Sequence, residues 1–338
     1  MSEHLARVRV TQFMRRPRSN AFSLERIFDD LQEKLICEHN CDVSRYVCRN
    51  PSTGFWGRVQ DVWLARQAQS EVNHVTGDVH YLTFLLPRRR TILTIHDLVL
   101  LARYSGLRRW LVWLLWYWVP VQRSKYVIAI SESTRCELLK EVRCNPNKVR
   151  VLHNAVSGEF KYAPKSFNTD QPRILQIGTK ENKNLSRIAA AIQGMDVVLV
   201  VVGRMSEEQT LLLRRFEIKF ENYFDISRQE LVEHYVACDL LVFASTYEGF
   251  GLPIVEANAV GRPVVTSAAW SMPEVAGGAA CLVDPHDVKS IRAGIERIIV
   301  DEDYRTRLIC RGLRNAERFS PSSVAARYAA VYREIADK

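Results

Sequence analysis

Several features that would place a chain in a special class are missing from these 338 residues. The eight cysteines include no Cys-x-x-Cys pair, and the one close group, Cys37, His39, Cys41 and Cys48, matches no common zinc spacing. Residues 1–9 are charged and no apolar core of sufficient length follows them, so no secretory signal is predicted. Internal repeats and low-complexity segments are also absent. With 47% hydrophobic and 25% charged residues, we expect a globular protein of the reducing cytoplasm whose thiols are buried or incidental.

Long hydrophobic runs are missing too, since the most apolar stretch covers only residues 110–121. That stretch is shorter than the roughly 20 residues needed to span a bilayer. It contains four tryptophans, and it is flanked by the basic residues Arg103, Arg108, Arg109, Arg123 and Lys125. This composition is typical of a helix lying in a membrane interface. A core helix of the first domain is the alternative, and the sequence leaves both open.

The net charge is confined to one half of the chain. Residues 1–160 hold 24 Lys and Arg against 15 Asp and Glu, whereas residues 161–338 hold 23 of each sign. An anionic partner is therefore expected in the first half, such as a membrane surface, a phosphorylated acceptor or nucleic acid. No motif that interleaves aromatic and basic residues is present, so we expect no nucleic acid.

The most informative stretch is residues 245–265, which includes Ser-Thr-Tyr-Glu-Gly-Phe-Gly-Leu-Pro. A short apolar run at 240–243 predicts a buried strand ahead of it. Pro253 suits the first turn of a helix and Gly261 its exit, so the pattern predicts strand, glycine loop, helix and strand. A helix that begins after such a loop presents backbone amides to an anion such as phosphate. Glu248 and Glu256 are placed to accept hydrogen bonds from diols beside that anion.

This block resembles the Glu-x7-Glu signature of glycosyltransferase family 4, whose members are retaining sugar-nucleotide transferases. The resemblance implies that Glu248 contacts the donor sugar and Glu256 the ribose. It also implies that the donor phosphates lie against the backbone of the loop residues, which are Gly249, Phe250, Gly251 and Leu252. A tight turn followed by two helix-face glutamates is the alternative, but the match extends through Gly-Arg-Pro-Val-Val at 261–265.

A second segment of the same kind is the loop at residues 179–185, which follows a predicted strand. Family members usually place two basic residues here to hold the diphosphate. Lys183 matches that position well, and Lys180 is the candidate for the second cation, with an exposed lysine as its alternative. A cation at this point would neutralise the charge that develops on the leaving nucleoside diphosphate.

The first half resembles the family mainly through His96 and Asp97, which end an apolar strand at 91–95. The carboxyl edge of a parallel sheet is where ligands bind. By resemblance His96 lies against the donor sugar, which makes it a catalytic candidate together with Glu248; His74 and His80 have weaker claims. The acceptor-side candidates are Asp97 and the first-loop residues Arg15, Arg16, Arg18, Ser19 and Asn20, and this basic loop would suit an anionic acceptor. A solvated basic loop is the alternative for the latter group.

The fold implied by the resemblance is GT-B, an α/β architecture of two Rossmann-like domains whose parallel sheets face each other across a cleft. We expect an acceptor-binding domain at 1–160, with an interdomain linker at 157–171. The nucleotide-sugar domain is expected at 161–320. A helix at 321–338 is expected to cross back to the first domain.

The implied activity is retaining transfer of a hexosyl group, with mannosyl as one candidate, from a nucleotide-diphosphate sugar. The acceptor would be a glycan that we expect to be lipid-linked, and the process would be the synthesis of a polysaccharide at the inner face of a membrane. No cofactor and no metal is implied, and the acidic run at 301–303 is interpreted as helix capping. Two other classes stay open: a GT-B epimerase or phosphorylase, and a non-catalytic protein that binds anionic ligands or nucleic acid.

Overall fold

The computed structural model describes residues 7–17, 23–51 and 54–337, and it divides into two compact units. Unit 1 contains the chain up to Ala155 together with the segment from Pro321 onward, and unit 2 contains Val156–Ser320. Each unit has one sheet of six parallel strands with surrounding helices. This confirms the predicted α/β class with two Rossmann-like sheets.

The sheet of unit 1 is buried on both faces along its central strands, as expected for a parallel sheet covered by helices. Its strands are β1 (Val8–Met14), β2 (Cys41–Val47), β3 (Val72–Val75), β4 (Thr91–Ile95), β5 (Tyr126–Ala129) and β6 (Val149–Val151). They are arranged in the order β2-β1-β3-β4-β5-β6, so the strand order changes direction between β1 and β3.

The helices of this part are α1 (Ser23–His39), α2 (Phe55–Gln67), α3 (Val99–Ala102), α4 (Gly106–Val112), α5 (Val119–Arg123) and α6 (Glu132–Glu141). A π-helical segment, Trp113–Trp118, joins α4 to α5, and 3-10 turns lie at His80–Phe84, Arg88–Arg90 and Pro146–Lys148. Helix α6 begins with a side-chain cap, because the Ser131 side chain accepts a hydrogen bond from the Thr134 amide.

The sheet of unit 2 contains β7 (Arg173–Ile177), β8 (Val198–Val202), β9 (Lys219–Tyr223), β10 (Leu240–Phe243), β11 (Val264–Ser267) and β12 (Cys281–Val283). Their order is β12-β11-β10-β7-β8-β9, so the order reverses between β7 and β10. In open parallel sheets the ligand crevice lies at such a reversal, beyond the carboxyl ends of the strands.

The helices of unit 2 are α7 (Leu185–Ile192), α8 (Glu207–Arg215), α9 (Arg228–Ala237), α10 (Leu252–Val260), α11 (Met272–Ala276), α12 (Val288–Val300) and α13 (Glu302–Glu317). A 3-10 turn at Glu181–Lys183 precedes α7. The acidic run at 301–303 does cap a helix, because Asp301 accepts a hydrogen bond from the Tyr304 amide at the start of α13.

The last helix, α14 (Pro321–Ala336), returns to unit 1. Its buried face includes Tyr328 and Tyr332, which join one core cluster with Phe28 of α1. The Tyr332 hydroxyl also lies 2.7 Å from Nδ1 of His74 on β3. The predicted crossing of the C-terminal helix is therefore part of the observed fold.

The segment expected to link the domains lies in unit 2. Lys165 forms an ion pair with the buried carboxylate of Asp239, and Arg262 donates to the Ala163 carbonyl at 2.8 Å. Glu159 pairs with Arg228 at 2.7 Å. These contacts attach residues 159–165 to unit 2.

Candidate functional site

The turn from β10 into α10 has the predicted form of strand, glycine loop and helix. Gly251 precedes α10 with φ of +103°, a left-handed conformation that a side chain rarely adopts, and a Cβ there would lie 3.1 Å from Ile254 Cδ1. Pro253 lies in the first turn of the helix, and Gly261 ends it at φ of +82°. The first amides of a helix have no intrahelical acceptor, so this turn can receive an anion.

Two predicted site residues meet at the reversal of strand order. Lys183 follows β7, Glu248 follows β10, and Nζ of the lysine lies 2.5 Å from Oε1 of the glutamate. Their side chains are only 18% and 14% exposed, so the ion pair is partly shielded from water. The Asn182 amide donates to the same Oε1 at 3.3 Å and to the Tyr247 carbonyl at 3.0 Å.

Neighbouring residues make space for the Lys183 side chain and fix the backbone of its loop. Gly178 has φ of +87°, and a Cβ there would lie 3.0 Å from the lysine Cγ. The Lys183 ammonium lies 4.7 Å from the centre of the Phe243 ring, a cation–π contact. Asn184, at φ of +63°, donates to the carbonyls of Ala244 and Pro285 at 2.9 and 2.7 Å, which ties the loop to the neighbouring strands.

Glu256 lies inside α10 and has a different partner. The Tyr235 hydroxyl donates to its Oε2 at 2.6 Å. Loss of water around the carboxylate raises the pKa of Glu256, and the Tyr235 hydrogen bond opposes that shift. Burial also raises the pKa of Tyr235 well above its usual range, so this hydroxyl stays protonated and remains a donor.

Hydroxyl groups of the next loop hold the glycine loop in place. Ser267 at the end of β11 donates to the Ser245 carbonyl at 2.5 Å. The Ser271 hydroxyl lies 2.9 Å from the Glu248 carbonyl and 2.8 Å from the Phe250 carbonyl. The Phe250 ring is buried and packs edge-on against Phe319. The backbone of the loop is thus fixed on both sides.

The other residues predicted to bind the sugar-nucleotide donor lie in the same two loops. Gly249, Phe250, Gly251 and Leu252 lie along the loop and the first residue of α10. Lys180 is exposed, three residues before Lys183.

In unit 1, His96 and Asp97 lie at the end of β4, as expected. His96 is 9% exposed, and its Nε2 lies 2.8 Å from the Thr76 carbonyl, so this nitrogen carries the hydrogen. Asp97 is exposed, and its carboxylate accepts from the Val99 amide at 3.1 Å, in a turn that leads into α3.

The candidates of the first loop have different surroundings. Arg15 is buried and pairs with Asp78 at 2.8 Å. Arg16 is exposed and donates to the Arg49 carbonyl at 3.4 Å. The other three, Arg18, Ser19 and Asn20, lie outside the described residues.

The two weaker histidine candidates are buried in unit 1. His74 contacts Tyr332 and also Thr94, whose Oγ1 is 2.8 Å from Nε2, and burial lowers the pKa of His74 to about 3. His80 has Nδ1 2.7 Å from the Trp116 carbonyl. Within residues 7–17, 23–51 and 54–337, no cluster of three or more His, Cys, Asp or Glu side chains is arranged to hold a metal ion.

Several contacts of the site are not apparent in the sequence. Asn182, Tyr235 and Ser271 contact Glu248, Glu256 and the loop carbonyls from segments that are 21 to 66 residues away. Asn184 adjoins Lys183 in the sequence, but nothing local marks its contacts with the Ala244 and Pro285 carbonyls. No local pattern predicts such partners, because the strand order decides which loops meet.

Two family models match this chain. "Glycosyltransferase Family 4" matches residues 26–160, and "Glycosyl transferases group 1" matches residues 159–314. The second match contains Lys183, Glu248 and Glu256.

Among curated relatives, the chain is 28% identical over 290 residues to O-antigen chain mannosyltransferase B of Escherichia coli; the match covers 77% of this chain and 74% of that protein. It is 26% identical over 265 residues to the serotype-specific mannosyltransferase WbdA of Escherichia coli. That match covers 70% of this chain and 32% of WbdA, so this chain spans about a third of that relative.

Among solved structures, sucrose-phosphate synthase of Thermosynechococcus elongatus is similar with a TM-score of 0.78 at 17% identity. The superposition covers 97% of this chain and 99% of that one. At this identity the similarity concerns the fold.

Proposed function

The chain belongs to glycosyltransferase family 4, since the two matching models together span residues 26–314, and we propose that it transfers a hexosyl group from a nucleotide-diphosphate sugar to a glycan acceptor. The observation that carries this proposal is the contact between Lys183 and Glu248 at the reversal of strand order in unit 2. Helix α10 begins beside this ion pair. A cation, a carboxylate and helix N-terminal amides that can bind an anion are therefore brought together.

The ion pair explains how a donor could be bound without leaving either charge unpaired. A diphosphate offers negative oxygens to Lys183 and to the first amides of α10. A hexose offers hydroxyl donors to the Glu248 carboxylate. Each member of the pair therefore exchanges its partner for a group of the donor, and Asn182 continues to hold Glu248 from the side.

The ribose is assigned to Glu256. An ionised carboxylate has about four acceptor positions, and Tyr235 occupies one of them on Oε2. The remaining positions suit the two hydroxyls of a vicinal diol. Glu256 would thus hold the nucleoside while Lys183 and the glycine loop hold the diphosphate.

The proposed reaction retains the anomeric configuration. The bond from the anomeric carbon to the phosphate oxygen breaks, and the bond to the acceptor oxygen forms on the same face. The acceptor hydroxyl gives its proton to the leaving phosphate, whose charge Lys183 stabilises. Glu248 is occupied by sugar hydroxyls, which favours this course over a covalent glycosyl-enzyme. We propose no metal for this step, so turnover should persist in excess EDTA.

Mannosyl is the proposed hexosyl group, because the two curated relatives described above are named mannosyltransferases. The same names support polysaccharide synthesis as the process. A lipid-linked acceptor is proposed from the surface of unit 1, where exposed apolar side chains are concentrated.

The Trp-rich segment supplies the first part of that surface. The helix from α4 through α5 buries Tyr117 and Val121 on one side. Its other side exposes an apolar stripe of five residues, which are Leu107, Trp110, Leu111, Leu115 and Trp118. Leu107 is the most exposed of them, at 72%. The buried side fits the core interpretation of this segment, and the exposed side supports the proposed interface role.

Helix α2 supplies a second stripe, which the sequence analysis missed. Phe55, Trp56, Val59 and Trp63 are all exposed, Trp56 by 79%. The two helices come close to each other, because Arg58 of α2 lies 4.8 Å from the ring of Trp116 in the π-helical segment.

Unit 1 also carries exposed basic residues. Arg103, Arg108 and the triplet Arg88–Arg90 are exposed, whereas Arg109 forms an ion pair with Glu141 at 2.8 Å. Among the described residues no helix is both long and apolar enough to cross a membrane. We propose that unit 1 attaches reversibly to an anionic lipid surface, with aromatic side chains in the interface and arginines at the headgroups.

The test of donor use begins with binding. Thermal unfolding is measured with a panel of nucleoside diphosphates, and a true ligand at 100 times its Kd adds about 2.7 kcal/mol of stability. The matching sugar nucleotide is then supplied with a mannose-containing acceptor, and the anomeric configuration of the product is determined by NMR. Lys183→Ala should abolish the thermal shift, whereas Lys289→Ala, an exposed lysine of α12, should keep it. Absence of any shift and of any transfer would refute the proposed function.

A further inference from the structure

Trp270 is an unusual residue of unit 2. It is the only tryptophan between residues 156 and 320, and 47% of its surface is exposed. It lies in the turn between β11 and α11, with φ of +55°. A bulky side chain rarely adopts this left-handed conformation, because its Cβ approaches the following carbonyl. Strain of this kind persists where the surroundings impose it, often at functional sites.

The surroundings of Trp270 are those of the candidate site. Ser271, the next residue, hydrogen-bonds with the carbonyls of Glu248 and Phe250. The turn that holds the indole is therefore attached to the loop that holds the catalytic candidate.

The indole also contacts that loop directly. Its ring centre is 4.7 Å from the ring centre of Tyr247, and the two planes are inclined at 65°, an edge-to-face arrangement. Tyr247 immediately precedes Glu248. The two rings thus form an aromatic surface next to Glu248, and part of the indole is exposed to solvent.

We propose that Trp270 and Tyr247 form a subsite for a pyranose ring, which stacks its C–H face on the exposed indole. An apolar, rigid aromatic surface suits this ligand, because a pyranose combines an apolar face with hydroxyls at its rim. This inference rests on the proposed function, in which both the donor and the acceptor carry such a ring. Packing within the core would explain a buried tryptophan, but half of this one is exposed.

The test compares Trp270→Ala, Trp270→Phe and, as a matched control in the same unit, Leu211→Ala, which removes another exposed apolar side chain. The probes are the sugar nucleotide accepted by the wild type, the corresponding nucleoside diphosphate, and methyl α-mannopyranoside as acceptor. Trp270→Ala should raise KM for one ring-bearing substrate at least fivefold, and Trp270→Phe should restore most of it. A higher KM for the sugar nucleotide would mean that the subsite binds the donor ring. A higher KM for the mannoside would mean that it binds the acceptor ring.

Binding of the nucleoside diphosphate, which lacks the hexose, should stay within twofold in all three variants. Trp270→Gly supplies a second readout, since glycine relieves the left-handed strain. It should keep or raise Tm while it weakens sugar binding; a lower Tm with normal KM values shows a structural residue.

Values of KM within twofold of the wild type for both ring-bearing substrates in Trp270→Ala overturn the subsite while leaving the transferase assignment intact. A wild-type protein that transfers no sugar instead contradicts the proposed function itself. In that case binding of methyl α-mannopyranoside is followed by saturation-transfer NMR, and equal signals from wild type and Trp270→Ala overturn the subsite.

Discussion

The two units have similar sheets but place their distinctive side chains differently. In unit 2 the candidates Lys183 and Glu248 contact each other, and the candidate Glu256 accepts a hydrogen bond from Tyr235. In unit 1, Arg15 and His74 are held by Asp78 and Tyr332, and the exposed aromatic residues lie on α2 and the α4–α5 helix. Parallel sheets of one class thus support a polar site in one unit and an apolar surface in the other.

This difference separates two kinds of function. Donor chemistry needs charges that are partly shielded from water, because shielding strengthens their effect on a developing charge. Attachment to a surface needs exposed apolar area and basic groups. If the comparison is correct, variants in unit 2 should change turnover and donor affinity, and variants in unit 1 should change where the protein binds.

The largest effect is expected when the ion pair of unit 2 is broken. Lys183→Ala and Glu248→Ala should each lower kcat by about 10²- to 10³-fold, the usual loss for a preorganised electrostatic group. Each also leaves its partner unpaired and partly buried, which lowers Tm. Steady-state kinetics and thermal unfolding measure the two effects, with Glu208→Ala, an exposed glutamate of α8, as control.

The double variant separates chemistry from stability. Lys183→Met combined with Glu248→Gln removes both charges, so Tm should partly recover while turnover does not. Turnover that returned together with Tm would mean that the pair is structural, and the comparison between the units would lose its basis.

The second effect concerns the nucleoside. Glu256→Ala should weaken binding of the nucleoside diphosphate by about 1.5–3 kcal/mol, the contribution of hydrogen bonds to a charged group. Tyr235→Phe is the matched control, because it removes the neighbouring hydroxyl and keeps the carboxylate. Isothermal titration calorimetry measures both. An unchanged Kd in Glu256→Ala, with KM for the donor also unchanged, removes the ribose assignment.

The sequence predicts the second unit better than the first, for physical reasons. Gly251, Pro253 and Gly261 specify the turn and both ends of α10 through their own backbone preferences. Lys183 was predicted from the family resemblance, as one of two basic residues in the loop that follows β7. Asn182, Asn184 and Ser271 were not recognised as partners, since their contacts depend on which strands are neighbours.

The surface of unit 1 shows another limit of local patterns. Phe55, Val59 and Trp63 have helical spacing, so an apolar helix face was predictable in α2. Whether the rest of the fold covers that face depends on the packing of distant segments. The buried state of Arg15 was missed for the same reason, because its partner Asp78 follows a different strand.

The third effect tests unit 1. Wild-type protein should co-sediment with vesicles that contain anionic lipid, and less so as salt shortens the Debye length. Arg103→Glu with Arg108→Glu should weaken binding by about 1 kcal/mol or more for each charge removed. The control is Arg214→Glu with Arg215→Glu on α8 of unit 2, which changes net charge equally at an exposed site.

Apolar contact is tested separately from charge. Trp56→Ser and Trp110→Ser should reduce vesicle binding at constant net charge, whereas Leu211→Ser in unit 2 should not. Equal losses from the unit 1 and unit 2 charge variants would indicate attraction by net charge alone. Absence of binding at low salt, with the protein folded and monomeric, would remove the membrane proposal.

The smallest effect is a pH dependence that arises from Glu256. Its pKa is raised in the folded protein, mainly because the carboxylate loses water. A group with a raised folded pKa binds its proton more tightly in the folded state, so its contribution to stability falls as pH rises from the ordinary glutamate value of about 4.3 through the folded pKa.

Glu256→Gln removes this cost and keeps an oxygen that can accept from Tyr235. Its Tm should therefore exceed that of the wild type at neutral pH, by about 2–4 °C for each kcal/mol gained, and the difference should disappear below the ordinary value. Thermal unfolding between pH 4 and pH 8 measures it. Glu208→Gln, at an exposed site, should show no such trend. A constant difference at every pH would mean that the variant acts by packing and not through the charge of Glu256.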